Sequence, residues 1–128
     1  MKTIHTPWGP SQHIEQHGRG ILSVSTAGHG GIFVPSELLL QLPRCLQGFK
    51  TWIGSPNWFE EDCDAVIPVL LFPDSFDAQF VAYAMKAVQA NPYYAEHGFN
   101  FDAYILTDAG VRANQIAIEQ SNYEVATA

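Results

Sequence analysis

The chain has 128 residues, 47% of them hydrophobic, and a formal net charge of -7. Length and apolar content suit one folded domain over residues 1–128 with its own core, and they exclude a disordered chain. The balance of 13 Asp and Glu against 6 Lys and Arg excludes a surface of clustered cations, so direct nucleic-acid binding is not expected.

Thr6-Pro7-Trp8-Gly9-Pro10 is turn chemistry around an aromatic anchor. Two alternating runs, 12–17 and 21–26, flank Gly18-Arg19-Gly20 and predict a β-hairpin, with Leu22 and Val24 inward and Ser23 and Ser25 outward. In Ala27-Gly28-His29-Gly30-Gly31 the glycines permit positive φ and close backbone approach. A brief strand at 32–34 leads to Pro35, which opens a short helix carrying Leu38, Leu39 and Leu42. Residues 44–57 form a loop-rich connection that carries Trp52.

At 100° per residue, Phe59, Cys63, Val66, Ile67 and Leu70 fall in one stripe and predict a core helix over residues 58–72. Asn57 is its expected N-cap, Pro68 a kink or end, and Pro73 a stop. Asp74 or Ser75 would cap a second helix, 76–90, with Phe76, Phe80, Tyr83, Ala84 and Ala87 on one face. Period-two alternation predicts a strand at 98–106 and a last strand at 123–126, while residues 107–120 suit either strand or helix. The expected class is α+β: a small antiparallel sheet of N-terminal hairpin and C-terminal strands, packed against helices 58–72 and 76–90.

No Lys or Arg occurs between Lys50 and Lys86, an interval holding Glu60, Glu61, Asp62, Asp64, Asp74 and Asp77. These carboxylates predict an acidic helix face that meets a basic protein surface, with Trp52 or Trp58 as the desolvated anchor. Chemical alternatives are weaker. A Cys63–His29 pair would need a thiolate, yet Cys63 lies on the apolar stripe among anionic neighbours that disfavour one. His13 and His17 would stand about 13 Å apart on a strand, too far for one zinc site; only a helix would join them, with His29, Asp62 or Glu61 to complete a set. The glycine loop lacks the Lys and Ser/Thr of a phosphate cradle, and no cofactor is expected.

Cys45 and Cys63 make no disulfide framework and read as small core residues. No apolar run is long enough for a bilayer, and the first residues have no signal-peptide core. A cytoplasmic protein without membrane contact is therefore expected.

The motifs Thr6-Pro7-Trp8-Gly9, Ser25-Thr26-Ala27-Gly28-His29-Gly30-Gly31, Trp58-Phe59-Glu60-Glu61-Asp62-Cys63 and Phe72-Pro73, in that order, resemble an uncharacterised domain family. That family occurs on proteobacterial plasmids, phages and other mobile elements. The resemblance implies a small anti-defence factor of anti-CRISPR or anti-restriction type, acting by stoichiometric binding in a bacterial host. Its partner would be the Lys/Arg-lined nucleic-acid channel of a CRISPR or restriction complex. The alternatives are a small Cys/His-dependent or metal-dependent hydrolase and a self-assembling domain that forms homo-oligomers through the apolar surface of its helices.

Overall fold

The computed structural model describes residues 2–127, in which strands occupy the first half of the chain and the longer helices the second. Strands β1 (His5–Thr6) and β2 (Gly9–Pro10) pair antiparallel around a turn closed by Thr6, whose Oγ1 donates to the Gly9 carbonyl at 2.7 Å. The predicted hairpin follows as β3 (His13–Gln16) and β4 (Leu22–Ser25), turning through Gly18, Arg19 and Gly20, all at positive φ. With β5 (Gly30–Phe33) and β6 (Trp58–Glu60) they form one antiparallel sheet in the order β3-β4-β5-β6. Helix α1 (Ser36–Leu40) follows Pro35 as expected.

The α+β class holds, but three expectations change. Residues 58–60 are an edge strand, and helix α2 is only Val66–Leu71. A helix starting at Phe59 would bury Pro68 in its interior against the Asp64 carbonyl. The chain instead starts the helix at Val66, which leaves Pro68 in the first turn, where its missing N–H costs nothing. No strand follows residue 60 among the described residues. In the expected strand 98–106, Asn100 accepts the Ala103 N–H at 3.1 Å and caps a short helix, α5 (Phe101–Tyr104). The ambiguous stretch and the expected last strand are one helix, α6 (Asp108–Thr127), begun by Thr107, whose Oγ1 accepts the Gly110 N–H at 3.1 Å.

Helix α3 (Ala78–Ala90) ends where predicted but starts two residues late, with Asp77 and not Asp74 or Ser75 at its N-cap position, and it turns a different face inward. Val81, Ala84, Met85 and Val88 are buried, whereas Phe80 and Tyr83 are 58% and 64% exposed. The i, i+3, i+4, i+7 set of small and branched residues packs against α2 and α6, and the bulkier aromatic face is left to solvent. On α6, Gly110 and Ala113 are buried, and a side chain at Gly110 would strike the Tyr104 carbonyl. Tyr104 itself is fully buried and donates to the Leu70 carbonyl at 2.5 Å, joining α5 to α2. A short helix α4 (Tyr93–Glu96) links α3 to α5.

Register decides which sheet residues face the helices. The rows Glu15↔Ser23, Ser23↔Ile32 and Ile32↔Phe59 share one face, so Ser23 and Ser25 turn towards the helical layer and not outward. The other face, with Val24 and Gly31, is covered by Trp8, whose ring would collide with any side chain at Gly31. Gly30 and Gly31 thus serve close approach as expected, but neither they nor Gly28 has positive φ.

Candidate functional site

Because β3 and β4 extend beyond the cover of α2 and α3, an open groove of about 410 Å³ remains between the sheet and the start of α3. Its sheet wall carries His13, Glu15 and His17, which alternate onto one face of β3. Val66, Val69 and Phe76 supply apolar floor, and Phe80 and Tyr83 stand on the helical rim. Glu61 and Asp77 add carboxylates from two further segments, and no Lys or Arg lines the groove. His17 is held by Ser23 Oγ at 2.6 Å and packs on Phe76 with ring centroids 4.6 Å apart. The chain is extended from His13 to Gln16, so His13 and His17 do not share a helix face.

The expected acidic helix face is not present as such, because residues 60–64 form a strand end and a turn. Glu60 is 7% exposed and Asp64 fully buried. Asp64 accepts the Trp52 N–H and the Tyr93 hydroxyl, both at 2.6 Å, and so ties the 49–57 connection to α4. Burial, together with the bond to Asp64, pushes the Tyr93 hydroxyl above its ordinary pKa. Glu61, Asp62, Asp74 and Asp77 are exposed. Asp74 pairs with Arg112 at 2.8 Å, a cation from outside the Lys- and Arg-free interval. Trp52 is 70% exposed, but Trp58 is half-buried between Trp8 and Phe33, with centroids at 5.7 and 4.9 Å. Glu60, Asp64 and Trp58 therefore leave the expected contact surface: each is committed to its own chain.

Nor do Cys63 and His29 form a dyad. Glu60 stands between them: its Oε2 accepts from the Cys63 thiol at 3.4 Å, and its Oε1 lies 3.7 Å from His29 Nδ1. Burial and the neighbouring Asp64 carboxylate push the Cys63 thiol up to about 12, leaving almost no thiolate near neutral pH. His29 sits on a loop closed by Thr26, whose amide donates to the His29 carbonyl at 2.7 Å while its Oγ1 accepts the His29 N–H at 3.1 Å.

Sequence reasoning missed the groove rim. Phe80 and Tyr83 lie on the expected core face, yet Val81, Ala84, Met85 and Val88 take the interior and leave both aromatics on the rim. It also missed Glu15 as a groove carboxylate, since that role depends on a sheet wall and a helix from different parts of the chain.

No described helix is long and apolar enough to cross a membrane. No curated protein and no solved structure matches the chain. A family model does match residues 1–102, which take in both sheets, α1 to α4 and the start of α5, and leave α6 outside. By that match the chain belongs to the family described as Domain of unknown function (DUF7007).

Proposed function

We propose that this protein is a non-enzymatic binding module that takes a basic segment of another protein into the groove between the sheet and α3. The observation carrying the reading is charge: Glu15, Glu61 and Asp77 converge on an apolar-floored cleft whose lining contains no Lys or Arg. A Lys or Arg side chain entering it would lay its aliphatic stem along Val66, Val69 and Phe76, with its head among the carboxylates. Phe80 and Tyr83 offer the exposed aromatic contact that gives such an interface its affinity, while the net charge of -7 speeds the encounter.

The resemblance to domains of mobile elements directs the reading towards the cytoplasm of a bacterial host. The partner of first choice is the cation-lined nucleic-acid channel of a CRISPR or restriction complex, which a compact acidic domain inhibits by occupying it. The contact surface is then the groove with Glu61 and Asp77, supplemented by Asp62, Asp74 and the exposed Trp52, and not a helix face.

The test is expression in bacterial strains carrying defined CRISPR or restriction systems, scored by phage or plasmid survival and by co-purification of the complex. A Glu15→Lys, Glu61→Lys, Asp77→Lys variant should lose both while keeping its circular dichroism spectrum. Survival that the wild-type chain does not raise, or that the triple variant raises equally, ends the reading.

A second reading, self-assembly, draws on Val111, Ile118 and Val125. All three are exposed on α6 and are spaced by seven residues. Sedimentation of the full chain distinguishes it: a monomer at all concentrations removes self-assembly and leaves the groove reading standing.

A further inference from the structure

On the opposite side of β6 from the groove lies a second constellation, which shares only Asp62 with the proposed contact surface. Strand register places it. With Gly31 opposite Glu60, the ladder continued by two residues sets His29 across from Asp62. The Glu61 N–H does continue the ladder by donating to the Gly30 carbonyl at 3.0 Å. Glu60 and Glu61 therefore diverge, one to each face. Ligand-type atoms of His29, Glu60 and Asp62 come within 4.8 Å of one another.

The Glu60 carboxylate is the informative member. Its side chain is 10% exposed, and its only ion-pair partner among the described residues is the His29 imidazole, at 3.7 Å. Oε2 is oriented by the Asp62 N–H at 2.9 Å and the Cys63 thiol at 3.4 Å. Oε1 accepts no hydrogen bond among the described residues and lies 3.7 Å from His29 Nδ1. A carboxylate on a side chain nine-tenths buried, fixed through one oxygen by two donors and leaving the other to solvent beside an imidazole, is poised for a cation.

We infer that His29, Glu60 and Asp62 form a binding site for a divalent transition-metal ion. One imidazole nitrogen with two carboxylate oxygens suits zinc or manganese, whereas magnesium and calcium favour oxygen-only shells. Tetrahedral bonds of about 2.0–2.2 Å put ligand atoms roughly 3.3–3.6 Å apart, so closure draws them together by a shift of up to about 1.5 Å. His29 and Asp62 are both exposed and free to make it. With three protein ligands, the remaining coordination positions face solvent.

The experiment is calorimetric titration of the chelator-treated full-length protein with zinc chloride and with manganese chloride. It is paired with manganese-induced broadening of histidine ring signals in NMR spectra. The expected result is one ion per chain, with His29 broadened first. His29→Ala, Glu60→Gln and Asp62→Asn should each weaken binding by at least about tenfold, and a His13→Ala, His17→Ala variant should bind as wild type. Glu60→Gln keeps an acceptor for the Asp62 amide, and His29→Ala removes only an exposed ring, so loss of folding does not stand in for loss of the site. Absence of binding, binding that survives His29→Ala, or binding abolished by the His13 and His17 substitutions would each overturn the inference. The carboxylates that carry the groove reading, Glu15, Glu61 and Asp77, are not varied, so its failure and the failure of the metal site are told apart.

Discussion

Two groups of carboxylates, close in sequence, have opposite fates. Glu60 and Asp64 turn inward and are held by donors from their own chain; Glu61 and Asp77 stand open along the groove. Hydropathy does not separate them, because every member is anionic and neighbours differ only in the direction their Cα–Cβ bonds point. What separates them is the supply of donors. Asp64 meets a backbone N–H and a hydroxyl in the interior, whereas Glu61 emerges beside Gly30, where only solvent and the groove lie beyond. A buried carboxylate of this kind acts as an internal fastener, and an open one is available to others.

The contrast breaks most sharply at Asp64. Asp64→Ala strands the Trp52 amide and the Tyr93 hydroxyl inside the fold, and stability should drop by about 2–4 kcal/mol in urea denaturation. The open carboxylates, exchanged one at a time for neutral residues, should leave the midpoint unchanged. An Asp64→Ala protein as stable as wild type would mean that the inward and outward groups do not differ in kind.

Alkaline titration probes the donors in place of the acceptors. Burial raises the hydroxyl pKa values of Tyr93, Tyr94 and Tyr104 above the ordinary 10.0. A folded-state pKa above the unfolded one means that the stabilisation is complete below pH 10. It is withdrawn as pH rises further, because the unfolded chain ionises first. Tyrosinate absorbance of these residues should therefore appear together with loss of helical ellipticity above pH 10, not before it. Absorbance that completes while ellipticity holds would show that the hydroxyls are not tied down.

The gentlest probe is the thiol that donates to Glu60. Iodoacetamide at pH 8 should label Cys45, which is exposed and not the expected core residue, quickly and Cys63 far more slowly, as read by mass spectrometry. Equal rates would mean that Glu60 is not held as described.

How much of this was legible in advance follows the range of the interactions. The hairpin at 18–20, α1 and the C-terminal end of α3 all depend on neighbours a few residues away, and the sequence pattern carried them. The strand at 58–60 was not legible, since three residues give too short a run for alternation to outweigh a helical stripe. The alternating aromatics at 99 and 101 imitated a strand until Asn100 capped a helix between them. The inward turn of Asp64 was hidden more deeply. Its donors lie 12 residues before it and 29 after, and no local rule joins them. The ion pair of Asp74 with Arg112, 38 residues apart, was out of reach for the same reason.

The tether at Asp64 also bears on Trp52. The residue is 70% exposed while its backbone amide donates to the buried Asp64 carboxylate at 2.6 Å. A large aromatic ring is thus displayed from an irregular segment whose main chain is immobilised before any encounter. Any molecule that stacks against it meets a ring on a fixed mount, and the ordering such contacts usually require of a loop is complete when the chain folds.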